Sequence, residues 1–332
     1  MPQAFAATNA LGLDTSLNLL TFGDFSVPSS DVQGRVAVGG NANLTQYSIN
    51  TVDGVNALYD GVGLTVGGNL TFGSGQIFGN TLIGGNLSTS QGSSFAGDVQ
   101  VAHNFSANNN WVTAKSLSYR GVATGVRDTF PVATTAPVSL GIDFASEQTR
   151  LTNLSQSFDK LVNTGNGYTN GYIGEANFVL DAQGASLAVF DLTASDVLKN
   201  LSFSNLAADT TVLINVHGQT VDFGQHGYDG FATGRVLFNL PEASQVTFAS
   251  SVDASFLAPM ASFSASGLIT GQVVVAHWSG AGQVNDAAFV GQIGQVTPVP
   301  EPSEYALMLA GLGIMGLFAR QSRRHNALAV LA

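Results

Sequence analysis

His103, His217, His226 and His277 are the side chains best suited to hold a metal or move a proton, and none stands at a ligand spacing such as His-Glu-x-x-His. His217 and His226, with Asp222 and Asp229 nearby, form the one grouping of this kind; polar turn positions account for it more simply than a loop metal site. Asp24, Asp31 and Arg35 are close in sequence in a pattern that suits a buried ion pair or a turn cap, with calcium or ligand binding as the sharper alternative. No Gly-x-Ser-x-Gly elbow supports a serine nucleophile, and the absence of cysteine removes thiolates, disulfides and thiolate zinc sites together. These residues predict no catalytic group, no metal site and no cofactor, and the chain reads as not an enzyme.

The elements that would have to position any site are dictated by composition. Of 332 residues, 45% are hydrophobic and only 10% charged, against roughly 25% charged in ordinary soluble domains, while Gly accounts for 39. Such a chain can build a large core but favours short strands and tight turns over solvated helices. A net charge of −11 and just three lysines, Lys115, Lys160 and Lys199, exclude a phosphate-binding groove and with it a nucleic-acid partner.

The first third of the chain repeats itself. Val38-Gly39-Gly40-Asn41, Val66-Gly67-Gly68-Asn69 and Ile83-Gly84-Gly85-Asn86 share one pattern, and Val101-Ala102-His103-Asn104 is a looser copy. Aligned on the residues that follow, the units read Asn43-Leu44-Thr45, Asn69-Leu70-Thr71, Asn86-Leu87-Ser88 and Asn104-Phe105-Ser106, with spacings of 26, 17 and 18 residues. Gly turns, one Asn column and alternating apolar residues at such a period predict stacked coils of a β-solenoid. Asn43, Asn69, Asn86 and Asn104 are expected to form a ladder of amides, with the leucines in the core and Thr45, Thr71, Ser88 and Ser106 in one outward column. Residues 1 to 30 are expected to cap an exposed end of the stack.

One segment breaks the β pattern. Leu151, Leu154, Phe158, Leu161 and Val162 recur at helical spacing, predicting an amphipathic helix over about 146–162. Ser146 or Asp143 can cap its start and Asn163-Thr164-Gly165 supplies a stop. Its apolar stripe must lie on something, and the solenoid flank is the available surface. Strand patterns then resume through Val212–Val216, Arg235–Asn239 and Gly271–His277 and close on Gly282-Gln283-Val284-Asn285.

These blocks carry a resemblance. Leu20-Thr21-Phe22-Gly23-Asp24-Phe25 with Asp31 to Asn41, and, later, Arg235 to Asn239, Phe256-Leu257-Ala258-Pro259 and Gly271 to Ala276, resemble the opening and close of the choice-of-anchor A domain. The resemblance spans roughly residues 11 to 290. It implies an extracellular adhesive domain, a β-solenoid with an accompanying helix similar to ice-binding proteins, found with different surface anchors.

The C-terminus is sharper still. Val299-Pro300-Glu301-Pro302-Ser303 precedes an uncharged apolar run from Tyr305 to Ala319, then Arg320, Arg323 and Arg324. As a helix the run spans about 22 Å, short of the roughly 30 Å hydrocarbon core, and the arginines place its far end in the cytoplasm. This tripartite tail resembles the PEP-CTERM sorting signal of Gram-negative bacteria. The resemblance implies processing near Pro300-Glu301-Pro302 by an exosortase-type membrane peptidase, an inner-membrane intermediate, and a mature part at the cell surface or outside the cell. At the other end, Ala4-Phe5-Ala6 reads as a small-x-small cleavage site without a preceding basic and apolar region, so residues 1–10 are expected to be the remnant of a signal peptide.

The expected organisation is thus a solenoid domain over 11–290, a linker over 291–299 and a sorting tail over 300–324 with a membrane helix at 305–319. The expected function is a non-enzymatic, surface-displayed adhesin or matrix and biofilm protein, with exopolysaccharide or another cell surface as outer partner. An ice-binding protein is the alternative, and a polysaccharide-active enzyme the more remote one, since such sites need clustered carboxylates and the acidic residues here are sparse and spread.

Overall fold

A computed structural model describes residues 9–52, 61–127, 131–170 and 177–294. Pro300, Glu301, Pro302, the run 305–319 and Arg320, Arg323 and Arg324 lie outside the described residues, as does the cleavage-like Ala4-Phe5-Ala6. Among the described residues no helix is long and apolar enough to cross a membrane. The architecture that follows belongs to the compact unit ending at Ile293.

Each circuit of the chain supplies short strands to successive faces of a parallel β-solenoid. Leu87 pairs with Leu70 and Phe105, Ile83 with Val66 and Val101, and Phe95 with Ile77, all in parallel register. Sequence pattern tells the faces apart. Thr211–His217 is buried at six successive positions because its outer side is covered too, as parallel strands covered on both sides must be. Leu70–Phe72 alternates buried, exposed, buried, with one side in water. Ser255–Ala265 does both in turn: five buried residues, then strict alternation as it crosses from a covered face to an open one. The interior between the faces is lined by Phe223, Phe238, Phe248, Phe256 and Phe263, with Trp278 stacked on Phe263 at 5.3 Å. Each such ring contributes about 1.5–3 kcal/mol by burial.

The stack is not built in chain order. Leu19, in the first strand Leu17–Thr21, pairs on one side with Val36 of the next coil and on the other with Val273, more than 250 residues on. The chain therefore starts in the middle, winds outward to Pro131–Ala133, crosses back along the helix, and winds inward from Leu187–Thr193 to Val273–Ser279. For residues 9 to 30 this corrects the expectation of a cap at an end of the stack; residues 1 to 8 lie outside the described residues. The edge of Leu187–Thr193 is instead closed by Thr164 and Gly165, whose N–H groups both donate to the Val189 carbonyl at 3.0 Å, while Val189 N–H donates to Thr164 Oγ1. Asn166–Asn170 then runs antiparallel to Asn177–Asp181, ending the parallel pairing there.

The helix is Phe144–Asp159, with Asp143 as its N-cap and Lys160 as its C-cap. It begins two residues earlier than the pattern predicts because the Asp143 carboxylate accepts from the Ser146 N–H and hydroxyl. Leu151 and Phe158 pack on outward-facing Leu213, Leu237 and Leu257, whereas Val162 lies past the helix end and is exposed. The buried stripe also contains a polar residue. Ser155 Oγ donates to Asn239 Oδ1 at 2.6 Å, and Asn239 Nδ2 donates to the Ser155 carbonyl and to Asn215 Oδ1, both at 2.9 Å. Asn215 Nδ2 passes the chain to Asp191 Oδ1 and touches the Phe158 carbonyl. These bonds fix the helix to two adjacent coils and tie a third to them through Asp191, a placement along its length that apolar packing alone would not set.

The ends of the body extend past their expected limits. Asn9 Oδ1 accepts from the N–H groups of Leu11 and Leu13, and its amide reaches Gln272, so residue 9 is built into the fold. At the other end Gln292 N–H donates to Thr211 Oγ1 and Ile293 packs beside the helix layer, so part of the segment expected as linker is docked.

Candidate functional site

Next to the helix-covered face, and continuous with it through Ser255–Ala265, a second face stands open to water. Its strands alternate, and the register sets their outward residues in one column. From the end reached last by the chain this column runs Asp222, Thr247, Ser264, Ser279 and Ser26. It continues without a break through Asn43, Thr71, Ser88, Ser106 and Thr124. Ten rungs at about 4.8 Å each give an array about 43 Å long. All are small and polar.

Two residues back along each strand stands the Asn ladder, which is a chain of acceptors. Asn69 Oδ1 takes the N–H and the side-chain amide of Asn86 at 2.8 and 2.9 Å, and Asn41 Oδ1 takes those of Asn69 at 2.9 and 3.0 Å. Asn86 Oδ1 takes the N–H of Asn104, whose own Oδ1 takes that of Val122. The rung below Asn69 is Asn41, not Asn43. Aligning on Asn-x-Thr displaced the first coil by two residues: Asn43 lies beside Thr71 and Thr45 falls outside the column, whereas the Gly-Gly-Asn signature itself, with a first spacing of 28, marks the register. The ladder also runs further than its asparagines. Asp24 Oδ1 accepts from Asn41 N–H at 2.8 Å, and Asp24 N–H donates to His277 Nδ1 at 2.9 Å, joining the last coil to the first. Asp24 and His277 carry no Gly-Gly-Asn pattern; only the register exposes them.

The glycines before each Asn are what let the turns stack. A Cβ on Gly84 would collide with the carbonyl oxygen of Gly67, and one on Gly67 with that of Gly39. Successive corners touch backbone to backbone.

Residues that could have done chemistry are dispersed. Asp31 accepts from Thr51 Oγ1 at 3.2 Å, and Arg35 is paired with Asp14 and the Val62 carbonyl, so Asp24, Asp31 and Arg35 hold three separate structural posts. His217 Nε2 lies 3.7 Å from Asp159 and 4.0 Å from Asp191 beside the helix. Asp222 is on the open face, where the Thr247 hydroxyl and Gly224 N–H hold its carboxyl below the usual range. His226 N–H donates to Ser250 Oγ, and Asp229 pairs with Ser202 in another sheet. Among the described residues no three His, Cys, Asp or Glu side chains are grouped to hold a metal. A cleft of ≈ 730 Å³ beside the helix start contains Arg35 and Arg150. Both are already engaged, Arg150 by Glu147 and the Leu11 carbonyl. Burial pushes the Tyr47 hydroxyl far above its ordinary pKa, and it donates inward to the Gly282 carbonyl.

The described residues form a parallel solenoid that carries one helix on one face and a long open column of small polar residues on another. The chain belongs to the family described as "Putative Ice-binding-like adhesive domain", whose model matches residues 10–286. A second model, the PEP-CTERM protein-sorting motif, matches residues 298–324. No curated protein and no solved structure matches the chain. Together the two matches define an exported protein of the cell surface or extracellular space.

Proposed function

We propose that this chain is a non-enzymatic adhesin or matrix protein, active in cell attachment or biofilm, whose open face is the contact surface. The observation that carries this reading is the ten-rung column of small polar residues, uninterrupted across coils from opposite ends of the sequence. An adhesive-domain family and a sorting motif on the same chain support it. In this account an exosortase-type peptidase acts at Pro300-Glu301-Pro302. The apolar run 305–319 with Arg320, Arg323 and Arg324 holds an inner-membrane intermediate until then.

Two measurements test the proposal. Fractionation compares the tagged chain with a form carrying alanines at Pro300, Glu301 and Pro302: the wild type is expected shortened at the surface or in the medium, the variant full length in the membrane. Deletion of the chain is expected to reduce cell attachment, and unchanged attachment counts against an adhesive role.

Ice binding is the second reading, favoured by the family description and by the threonine and serine hydroxyls of the column. Against it, Asn43 and several serines interrupt the regular threonine array that an ice lattice would require. Absence of ice-crystal shaping by the purified protein dismisses it.

A further inference from the structure

The open face also constrains what it binds. The column and the positions two residues back along each strand, which run from Thr220 through the Asn ladder to exposed Val122, comprise twenty outward positions, and none is Trp, Tyr, Phe, Arg or Lys. Protein partners are gripped by a few aromatic or Arg anchors set in pockets, and this face offers no such anchor. It is also nearly uncharged: Asp222, Asp24 and His277 are its only ionisable groups, so neither a polyanion nor a polycation gains a complementary field.

What the face offers instead is repetition. Each rung carries a hydroxyl or amide able to donate and accept, and Asn69 and Asn86 each spend only one of two side-chain N–H bonds within the ladder. A single hydrogen bond exchanged against water nets about 1 kcal/mol. A small molecule touching two or three rungs would therefore be held weakly. A partner gains only if it is long, straight, neutral, rich in hydroxyls, and repeats at about the coil spacing of 4.8 Å. An extended β-linked glycan, with about one pyranose ring per coil, has this chemistry.

We infer that the open face binds an extended neutral polysaccharide laid along the solenoid axis, its hydroxyls bridging successive rungs around Asn43, Thr71 and Ser88. The inference rests on the reading of this face as the contact surface and adds the class of ligand.

The test is retention of the full chain, purified in detergent, on amorphous cellulose, with alginate beads as the anionic comparison. Thr71→Lys with Ser88→Lys places two bulky charges on the open face; Gln76→Lys with Ser94→Lys places them on the third face of the solenoid, formed in the same coils by strands Gly75–Ile77 and Ser93–Phe95. Melting curves establish that both variants fold. The inference expects retention on cellulose but not alginate, competition by long soluble β-glucan and little by short cello-oligosaccharides, and about a tenfold loss for the open-face variant only. Absence of cellulose retention, equal loss in both variants, preference for alginate, or ice shaping in place of cellulose retention would overturn it. If cellulose is not retained while cells carrying the chain still attach through this face, the ligand class is wrong and the adhesive reading stands.

Discussion

Ser155 and Asn239 hold each other by two hydrogen bonds, side chain to side chain and side chain to backbone, 84 residues apart in sequence and both fully buried. The pair is where the helix is locked to the sheet. Asn239→Ala strands the Ser155 hydroxyl and Asn215 Oδ1 in a dry layer, and each stranded group costs about 1–3 kcal/mol. Denaturant unfolding is expected to show a loss of roughly 3 kcal/mol. In a double-mutant cycle with Ser155→Ala the two losses should fall short of additive by about 1 kcal/mol or more. Strict additivity would mean that the two side chains do not interact.

The ladder makes a prediction that separates the two possible registers. Asn41→Ala removes the acceptor for Asn69 N–H and its amide and is expected to cost about 1–2 kcal/mol. Asn43→Ala lies on the exposed column and is expected to stay within about 0.5 kcal/mol of wild type. Equilibrium unfolding of the two variants side by side decides it. The reverse order would restore the alignment on Asn-Leu-Thr.

Gly84→Ala inserts a methyl against the Gly67 carbonyl, which belongs to the neighbouring coil and cannot move without shifting the stack. A loss of roughly 1–3 kcal/mol is expected. Gly141→Ala, where a Cβ meets no neighbouring atom, isolates the cost of a positive φ alone. Thermal melts of the two variants should rank Gly84→Ala well below Gly141→Ala.

The helix cap gives a pH dependence. Hydrogen bonds from the Ser146 hydroxyl and N–H hold the Asp143 carboxyl below its ordinary value. A depressed folded pKa means that the stabilisation is present above the unfolded value of about 3.9 and is lost as pH falls through the folded value. Asp143→Ala should therefore melt below wild type at neutral pH, with the gap closing in acid. A gap that stays constant to the lowest pH contradicts the cap.

Much of this was legible in the residues, and the gaps have physical causes. Gly-Gly-Asn announces a solenoid because backbone-to-backbone corners tolerate no Cβ, and the Leu151–Phe158 spacing announces the helix. That the chain starts in mid-stack was not legible. Leu17–Thr21 reads like any other buried strand, and nothing local says that Val273 rather than solvent lies beside it. The open column was half visible. Thr71, Ser88 and Ser106 follow the repeat, but Ser26, Ser264 and Ser279 join it only through pairing between the two ends of the sequence. Ser155 was hidden because a serine within an apolar stripe looks like an interruption until Asn239 is placed opposite it.

The central claim, that the open face is the contact surface of a displayed protein, is tested most directly by attachment of living cells. Cells carrying the wild-type chain, the Thr71→Lys with Ser88→Lys form, or the Gln76→Lys with Ser94→Lys form are compared at equal surface levels, set by antibody labelling of the tag. The account predicts that attachment falls to the level of cells lacking the chain for the open-face variant and stays at wild-type level for the third-face variant. Equal attachment by all three would place the contact elsewhere on the molecule and contradict it.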